Sequence, residues 1–336
     1  MRYIDAFCHY FPNKFFEMMS QTAGGTTDVG KRMQGVRTIW DLNARLKMME
    51  PFQDYTQVVS LGLPPLEAIF GPDKTPDLAK AANDGLAELC AKHPDRFAGY
   101  VGTLPMENPN AAIKEAERIL VHGNASGLQL HTNVSGHCLD EPRFLPIFEI
   151  AAKAGKPICL HPARDANMPD FAAEKKSRYE IWTMLGWPYE TSATMARLVF
   201  SGVMTRFPDI KILTHHLGAM IPFFDARLDT GWATLGSRTS DEDYSHVLPN
   251  LGKPLLDCFR QFYGDTALCG SRAGVVCGLE FFGPDHVLFA SDAPFGPAGG
   301  AGYIQSAIDV MVSLDISQSD KEKISYRNAQ TFFGLA

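Results

Sequence analysis

The stretch YIDAFCHYFP, residues 3–12, holds the pattern from which the fold is read. Tyr3 to Cys8 form a short apolar run that ends in His9, and a turn follows at Pro12. A strand that finishes in a histidine presents an imidazole at the rim of a sheet. Similar runs recur at 56–62 (TQVVSLG), 97–103 (FAGYVGT), 127–131 (GLQLH), 157–161 (PICLH), 210–215 (IKILTH), 260–265 (RQFYGD) and 286–291 (HVLFAS). With the first strand near 2–8 they make eight. Their interiors are mostly unalternating, as expected of parallel strands covered on both faces.

Helical patterns fall between these runs. TPDLAKAANDGLAELCAKH (75–93) opens on a Thr-Pro start signal, and NPNAAIKEAERILVHG (108–123) stops at a glycine. DEPRFLPIFEIAAKAGK (140–156) repeats the scheme, 175–206 reads as helix broken near Gly186-Trp187-Pro188, and a last helix covers about 319–333. Eight strands alternating with helices predict a (β/α)8 TIM barrel rather than an open doubly wound sheet. No linker, repeat or low-complexity tract divides the chain, so residues 1–336 are expected to form a single barrel domain. Residues 13–40, rich in Gly, Thr and Met, read as a loop insertion after the first strand, lying over the site.

Bulk properties narrow the class. The 45% hydrophobic and 21% charged content is that of an ordinary globular chain. A net charge of −7, with no long run of either sign, argues against a nucleic-acid surface. Seven scattered cysteines without a C-x-x-C pair fit reduced thiols. The N-terminus shows no basic segment before an apolar core, and no window approaches a membrane span. The expectation is a cytoplasmic protein with neither membrane nor nucleic-acid partner.

In a barrel the chemistry sits at the C-terminal ends of the strands. Those ends carry His9, His131, His161, His215, His216, Asp265 and Asp292, five of only ten histidines among them. Neutral imidazole and carboxylate are the usual ligands of a catalytic divalent ion. A lone strand-end histidine is equally at home as a hydrogen-bonded structural residue, so the set carries the argument, not any member. His215 and His216 are adjacent, and strand alternation predicts that only one faces inward. GTTDVGKR (25–32) lacks the final hydroxyl residue of a phosphate-binding loop and no apolar strand feeds it. No G-x-S-x-G elbow is present, and the glycines of 296–302 read as a mobile loop.

The segments IDAFCHYFP, YVGTLPMENPNAAIKEAERIL, ICLHP, PYETSATMARLVFSGVMTRFPDIKILTHHLGAMIPFFDARLD, FYGDTA, VLFASDAPFG and NAQTFFGL occur in an order that resembles one family. It is the aminocarboxymuconate-semialdehyde decarboxylase and γ-resorcylate decarboxylase branch of the amidohydrolases. The resemblance implies a metal-bearing barrel, commonly a homodimer, usually with Zn²⁺ and sometimes Mn²⁺, acting on a small carboxylic acid. It implies His9, His161 and Asp292 as metal ligands and His216, six residues before Pro222, as the acid–base group, with Asp292 positioning a proton. Arg227 matches an arginine that reaches into the neighbouring subunit's site, and Arg37 and Arg45 are further candidate carboxylate contacts. Trp187, with Trp182 and Phe295, is expected to line a pocket for a planar ring. The departure is Phe7, where the family places a ligand; Asp5 is expected on the same strand face as Phe7 and His9, one step deeper. Decarboxylation is the leading reaction, lactonase-like hydrolysis or hydration the enzymatic alternative, and a barrel that lost its metal the non-enzymatic one.

Overall fold

The computed structural model describes residues 1–238 and 241–335. Its strands are β1 (Tyr3–His9), β2 (Tyr55–Ser60), β3 (Phe97–Gly102), β4 (Gly127–His131), the short pair β5 (Asn133–Val134) and β6 (His137–Cys138), then β7 (Ile158–His161), β8 (Ile212–Thr214), β9 (Tyr263–Asp265) and β10 (Val287–Leu288). Eight of them join in the order β1-β2-β3-β4-β7-β8-β9-β10, each neighbouring pair parallel. The eight expected strands are all present. The antiparallel pair β5-β6 was not foreseen; Ser135 and Gly136 both take positive φ there, as a two-residue hairpin turn requires.

Closure of the barrel falls on β10, which has only two residues. The chain beyond it completes the seam with β1: Ala6 N–H donates to Phe289 O (2.9 Å), Asp292 N–H to Phe7 O (3.1 Å) and His9 N–H to Ala293 O (2.8 Å). His9 and Asp292 thus arrive on neighbouring edges of one seam, although 283 positions separate them (292 − 9).

The helices follow their capping chemistry. Asn108 caps Pro109–Leu120 by accepting from Ala111 N–H (3.2 Å), and Pro76 sits in the first turn of Thr75–Lys92. The predicted helix at 175 starts only at Ile181, because Glu180 is held in the left-handed region (φ 57°), and it breaks at Leu185 before Gly186–Phe200. Residues 13–40 are not an open loop. They form helices Asn13–Ser20, Ala23–Thr26, Asp28–Gly35 and Arg37–Trp40, followed by Leu42–Met49. The physical reason is apolar spacing: Phe15 and Met19, four apart, are both fully buried, as are Ile39 and Met49. Among the described residues no helix is long and apolar enough to cross a membrane.

A register shift in β1 decides which side chains enter the barrel. Tyr3 pairs with Tyr55 and Asp5 with Gln57, but Cys8 pairs with Val59, so β1 carries one extra residue between Asp5 and Cys8. Ile4 and Ala6 pack with Val58, Val101, Cys159, Leu213 and Leu288, a set drawn from strands around the whole circumference and therefore interior. Tyr3 and Cys8 pack outward with Tyr55 against the helices. Past the bulge Phe7 faces Ala267 and Ala290, inside the barrel. Ala6 and Phe7 thus both point inward, which an unbroken period of two forbids. Asp5 is consequently on the outer face, opposite to Phe7 and His9, and the shared face expected from alternation is corrected.

The lower end of the interior is sealed by Phe332 and Phe333 of the helix Asn328–Phe333. Phe332 is 2% exposed and its ring lies 4.8 Å from that of Tyr263. Phe332→Ala is expected to cost about 3–5 kcal/mol through lost burial and a residual cavity. Urea unfolding with an unchanged m-value checks it.

Candidate active site

Five imidazoles crowd the C-terminal rim. His9 ends β1, fully buried, and its Nδ1 lies 3.2 Å from Ser60 Oγ at the end of β2. The Ser60 hydroxyl donates to Cys8 O (3.5 Å), so its oxygen is left to accept Nδ1–H of His9. That tautomer leaves His9 Nε2 as a buried lone pair with no hydrogen-bond partner. It faces Asp292 Oδ1 at 3.4 Å. Two lone pairs set this close repel unless positive charge lies between them, which is the place of a proton or a metal ion.

His161 ends β7 and donates Nδ1–H to Pro162 O (2.8 Å), again leaving Nε2 free. Burial, then the neighbouring His9, His131 and His215, holds it well below the usual histidine range, so it stays neutral. His131 is 3.2 Å from Gly62 O through Nε2, and burial brings it down to about 4. Gly62 itself admits no larger residue: a Cβ there would meet His9 Nδ1 at 2.7 Å, and its φ is +77°.

The His215-His216 pair departs from expectation. β8 stops at Thr214, and His216 takes a left-handed backbone (φ 58°), so strand alternation no longer applies. Both rings turn in. His215 donates Nδ1–H to Asp265 Oδ2 (2.5 Å), and burial pushes its pKa down despite that carboxylate. Asp265 Oδ1 accepts His216 N–H (3.1 Å) and Ala267 N–H (3.1 Å). His216 Nδ1–H is committed to Ala267 O (2.5 Å), leaving Nε2 for chemistry.

Phe7 occupies the middle of this ring of histidines. Its ring stacks on His215 at 3.5 Å, meets His9 edge-on at 4.5 Å, and lies 5.3 Å from His161 and 5.5 Å from His216. Among the described residues no three His, Cys, Asp or Glu side chains are gathered tightly enough to hold an ion. His9 and Asp292 meet directly, and His161 stands with its ring centroid 5.2 Å from that of His9. In residue type and tautomer the donors suit a divalent ion, with the orphaned His9 Nε2 the sharpest sign of it, although only His9 and Asp292 meet directly. Phe7 reduces the donor count.

The remaining candidates scatter. Arg45 is fully buried behind β2, donating Nε–H to Gln57 Oε1 (3.0 Å), and has no surface to offer a substrate. Arg37 is exposed and paired with Asp41 (2.7 Å). Arg227 is exposed on the helix Asp225–Trp232. Trp187 packs edge-on to Trp182 (5.8 Å) and keeps its Nε1 buried without a partner. Phe295 lies 5.7 Å from His9, and the Arg32 guanidinium sits over the Phe295 ring at 5.4 Å from its centroid. A cavity of about 650 Å³ opens beside the rim over Leu63, Pro64 and Ala163, walled by Thr27–Gly30, Arg164 and Trp182. Sequence reasoning did not single out Ser60, Arg32 or Arg164; a strand-final serine or a loop arginine carries no signal until neighbours are known.

The amidohydrolase family pattern matches residues 4–335. The chain belongs to the amidohydrolase family. Within it, the chain is 28% identical over 303 residues to a γ-resorcylate decarboxylase of Rhodococcus jostii, covering 87% of each. It is 27% identical to a 2-amino-3-carboxymuconate-6-semialdehyde decarboxylase of Dictyostelium discoideum, covering 88% of this chain and 77% of that one. The crystal structure of a 5-carboxyvanillate decarboxylase from Sphingomonas paucimobilis superposes with a TM-score of 0.79 at 25% identity, covering 100% of both chains. The family resemblance read from the ordered motifs and the (β/α)8 barrel are both borne out.

The cavity wall also carries Glu67. Burial pushes the Glu67 carboxyl up to about 7, well above the usual glutamate range. The unfolded chain therefore loses this proton first, and Glu67 lowers stability progressively as pH rises from about 4.5 to 7. Glu67→Gln, always neutral, escapes that loss. Its melting temperature is expected to exceed wild type at pH 8 and to match it near pH 4, as checked by calorimetry.

Proposed function

We propose that this protein is a metal-dependent decarboxylase of an aromatic or unsaturated hydroxycarboxylic acid, acting as a cytoplasmic homodimer. The observation that carries the reading is the bare His9 Nε2 opposing Asp292 Oδ1 at 3.4 Å on the rim that His161 and His216 share. Kinship with decarboxylases along most of the chain supports it. His9, His161 and Asp292 are the residues that would hold the ion; a two-imidazole, one-carboxylate set suits Zn²⁺ first and Mn²⁺ second. When bound, the ion supplies Lewis-acid stabilisation of negative charge on a substrate oxygen.

The protein's own groups perform the proton transfer. With Nδ1–H committed to Ala267 O, His216 handles its proton at Nε2. His216 protonates the carbon bearing the carboxylate, which interrupts conjugation. The C–C electron pair then returns to the ring as CO2 departs, and His216 takes a fresh proton from water. Phe7, Phe295 and the cavity wall at Trp182 exclude water from a planar substrate. Arg227 makes no ion pair among the described residues and is assigned to the substrate carboxylate of the partner's site.

Incubation with a panel of hydroxybenzoic acids is expected to release CO2, whereas lactone opening without CO2 overturns the reading. His216→Asn is expected to lower turnover about a hundredfold or more while the ion stays bound. Metal titration provides a separate check: His9→Ala or Asp292→Ala loses the ion, and Phe7→His, whose ring sits beside His9 and His161, binds it more tightly than wild type.

A further inference from the structure

Asp5 lies outside the barrel, touches no group assigned to the metal or to proton transfer, and is fully buried. Its carboxylate nevertheless collects four donors from both sides of the closing seam. Oδ1 accepts Phe7 N–H (3.2 Å) and Ser291 N–H (3.0 Å). Oδ2 accepts the hydroxyls of Tyr55 (2.5 Å) and Ser291. The Ser291 oxygen in turn accepts Ala293 N–H (3.1 Å).

These contacts sit at two places where the backbone is irregular. The first is the β1 bulge between Asp5 and Cys8, where the unpaired Phe7 N–H needs an acceptor. The second is the turn 291–293, whose middle residue, Asp292, adopts a left-handed conformation (φ 65°) that L-residues enter at a cost. Each of its three backbone N–H groups is tied to β1: Ser291 directly to Asp5, Asp292 to Phe7 O, and Ala293 through the Ser291 hydroxyl that Asp5 holds. The bulge turns His9 inward, and the turn aims Asp292 at it.

We propose that Asp5 is the positioning residue of the site, a single carboxylate that fixes the β1 bulge and the 291–293 turn together and so sets His9 against Asp292. Tyr55 and Gln57 extend the arrangement outward: Gln57 donates to Tyr55 Oη (2.8 Å) and accepts from Arg45 Nε–H. The buried Arg45, unexplained as a substrate contact, is the opposite charge at the far end of this chain of bonds.

The test compares Asp5→Ala with Asp5→Asn, because Asn keeps an oxygen for the two amides. Residue-resolved hydrogen exchange on the full chain is the first readout. In Asp5→Ala the Phe7 and Ser291 amides are expected to exchange at least tenfold faster while Val287 and Leu288 keep wild-type protection. Asp5→Asn restores protection to within about threefold. General destabilisation would speed all four amides alike. Zn²⁺ affinity, by competition with a chromophoric chelator, is the second readout and rests on the metal reading above; a loss of at least tenfold is expected in Asp5→Ala, with recovery in Asp5→Asn. Wild-type protein that binds no Zn²⁺ counts against the metal reading, and the exchange comparison still judges Asp5. If Asp5→Ala does not fold, Ser291→Ala replaces it, with at least tenfold faster exchange expected at Ala293. Wild-type exchange at Phe7 and Ser291 in a folded Asp5→Ala, or at Ala293 in Ser291→Ala, overturns the proposal.

Discussion

A parallel barrel must join its last strand to its first, and here the last strand has two residues. The seam depends on the backbone bonds from Ala6, His9 and Asp292 and on the buried carboxylate of Asp5 that braces them. Removing a carboxylate from water is expensive unless its lone pairs are filled. Two amides and two hydroxyls fill those of Asp5 and draw its pKa down, but burial outweighs them and holds it above the usual carboxylate range. Rim geometry follows, because His9 and Asp292 are carried by the two edges being joined.

Three of the rim histidines share one electrostatic trait. His131, His161 and His215 are all pushed down chiefly by burial, with neighbouring imidazoles adding to the effect. Phe7 reinforces this by presenting a ring to His161 and His215. An apolar centre withholds the water that would stabilise imidazolium, so lone pairs remain free to act as donors. Asp265 is the counterweight, fixing His215 by its side chain and His216 by its backbone.

Much of this was legible in the sequence. The eight strands announced themselves as unbroken apolar runs, and His9, His161, His216 and Asp292 were singled out because each ends or follows such a run. What failed were inferences that extend a period beyond its element. Alternation put Asp5 beside Phe7, and a bulge with no sequence mark reversed it. Alternation also split His215 from His216, yet the strand had already ended at Thr214. Arg45 has the composition of a ligand contact, and only the fold shows it walled in behind Gln57. Residues 13–40 misled through their glycines, although the Phe15/Met19 spacing carried a helical signal.

The helical character of that insertion bears on how molecules travel to the rim. Phe15, Met19, Met33 and Ile39 are buried in the main core, so swinging these helices aside means tearing core contacts. The opposite wall of the cavity is different. Residues 162–180 contain no regular strand or helix, expose Phe171 and Tyr179, and contribute Arg164 to Met168 to the cavity lining. The cavity thus has one bank of core-packed helices and one of irregular chain, the second tied back where Ala163 bonds to Thr132 and Asn133 and where Arg164 meets Glu190 at 3.1 Å.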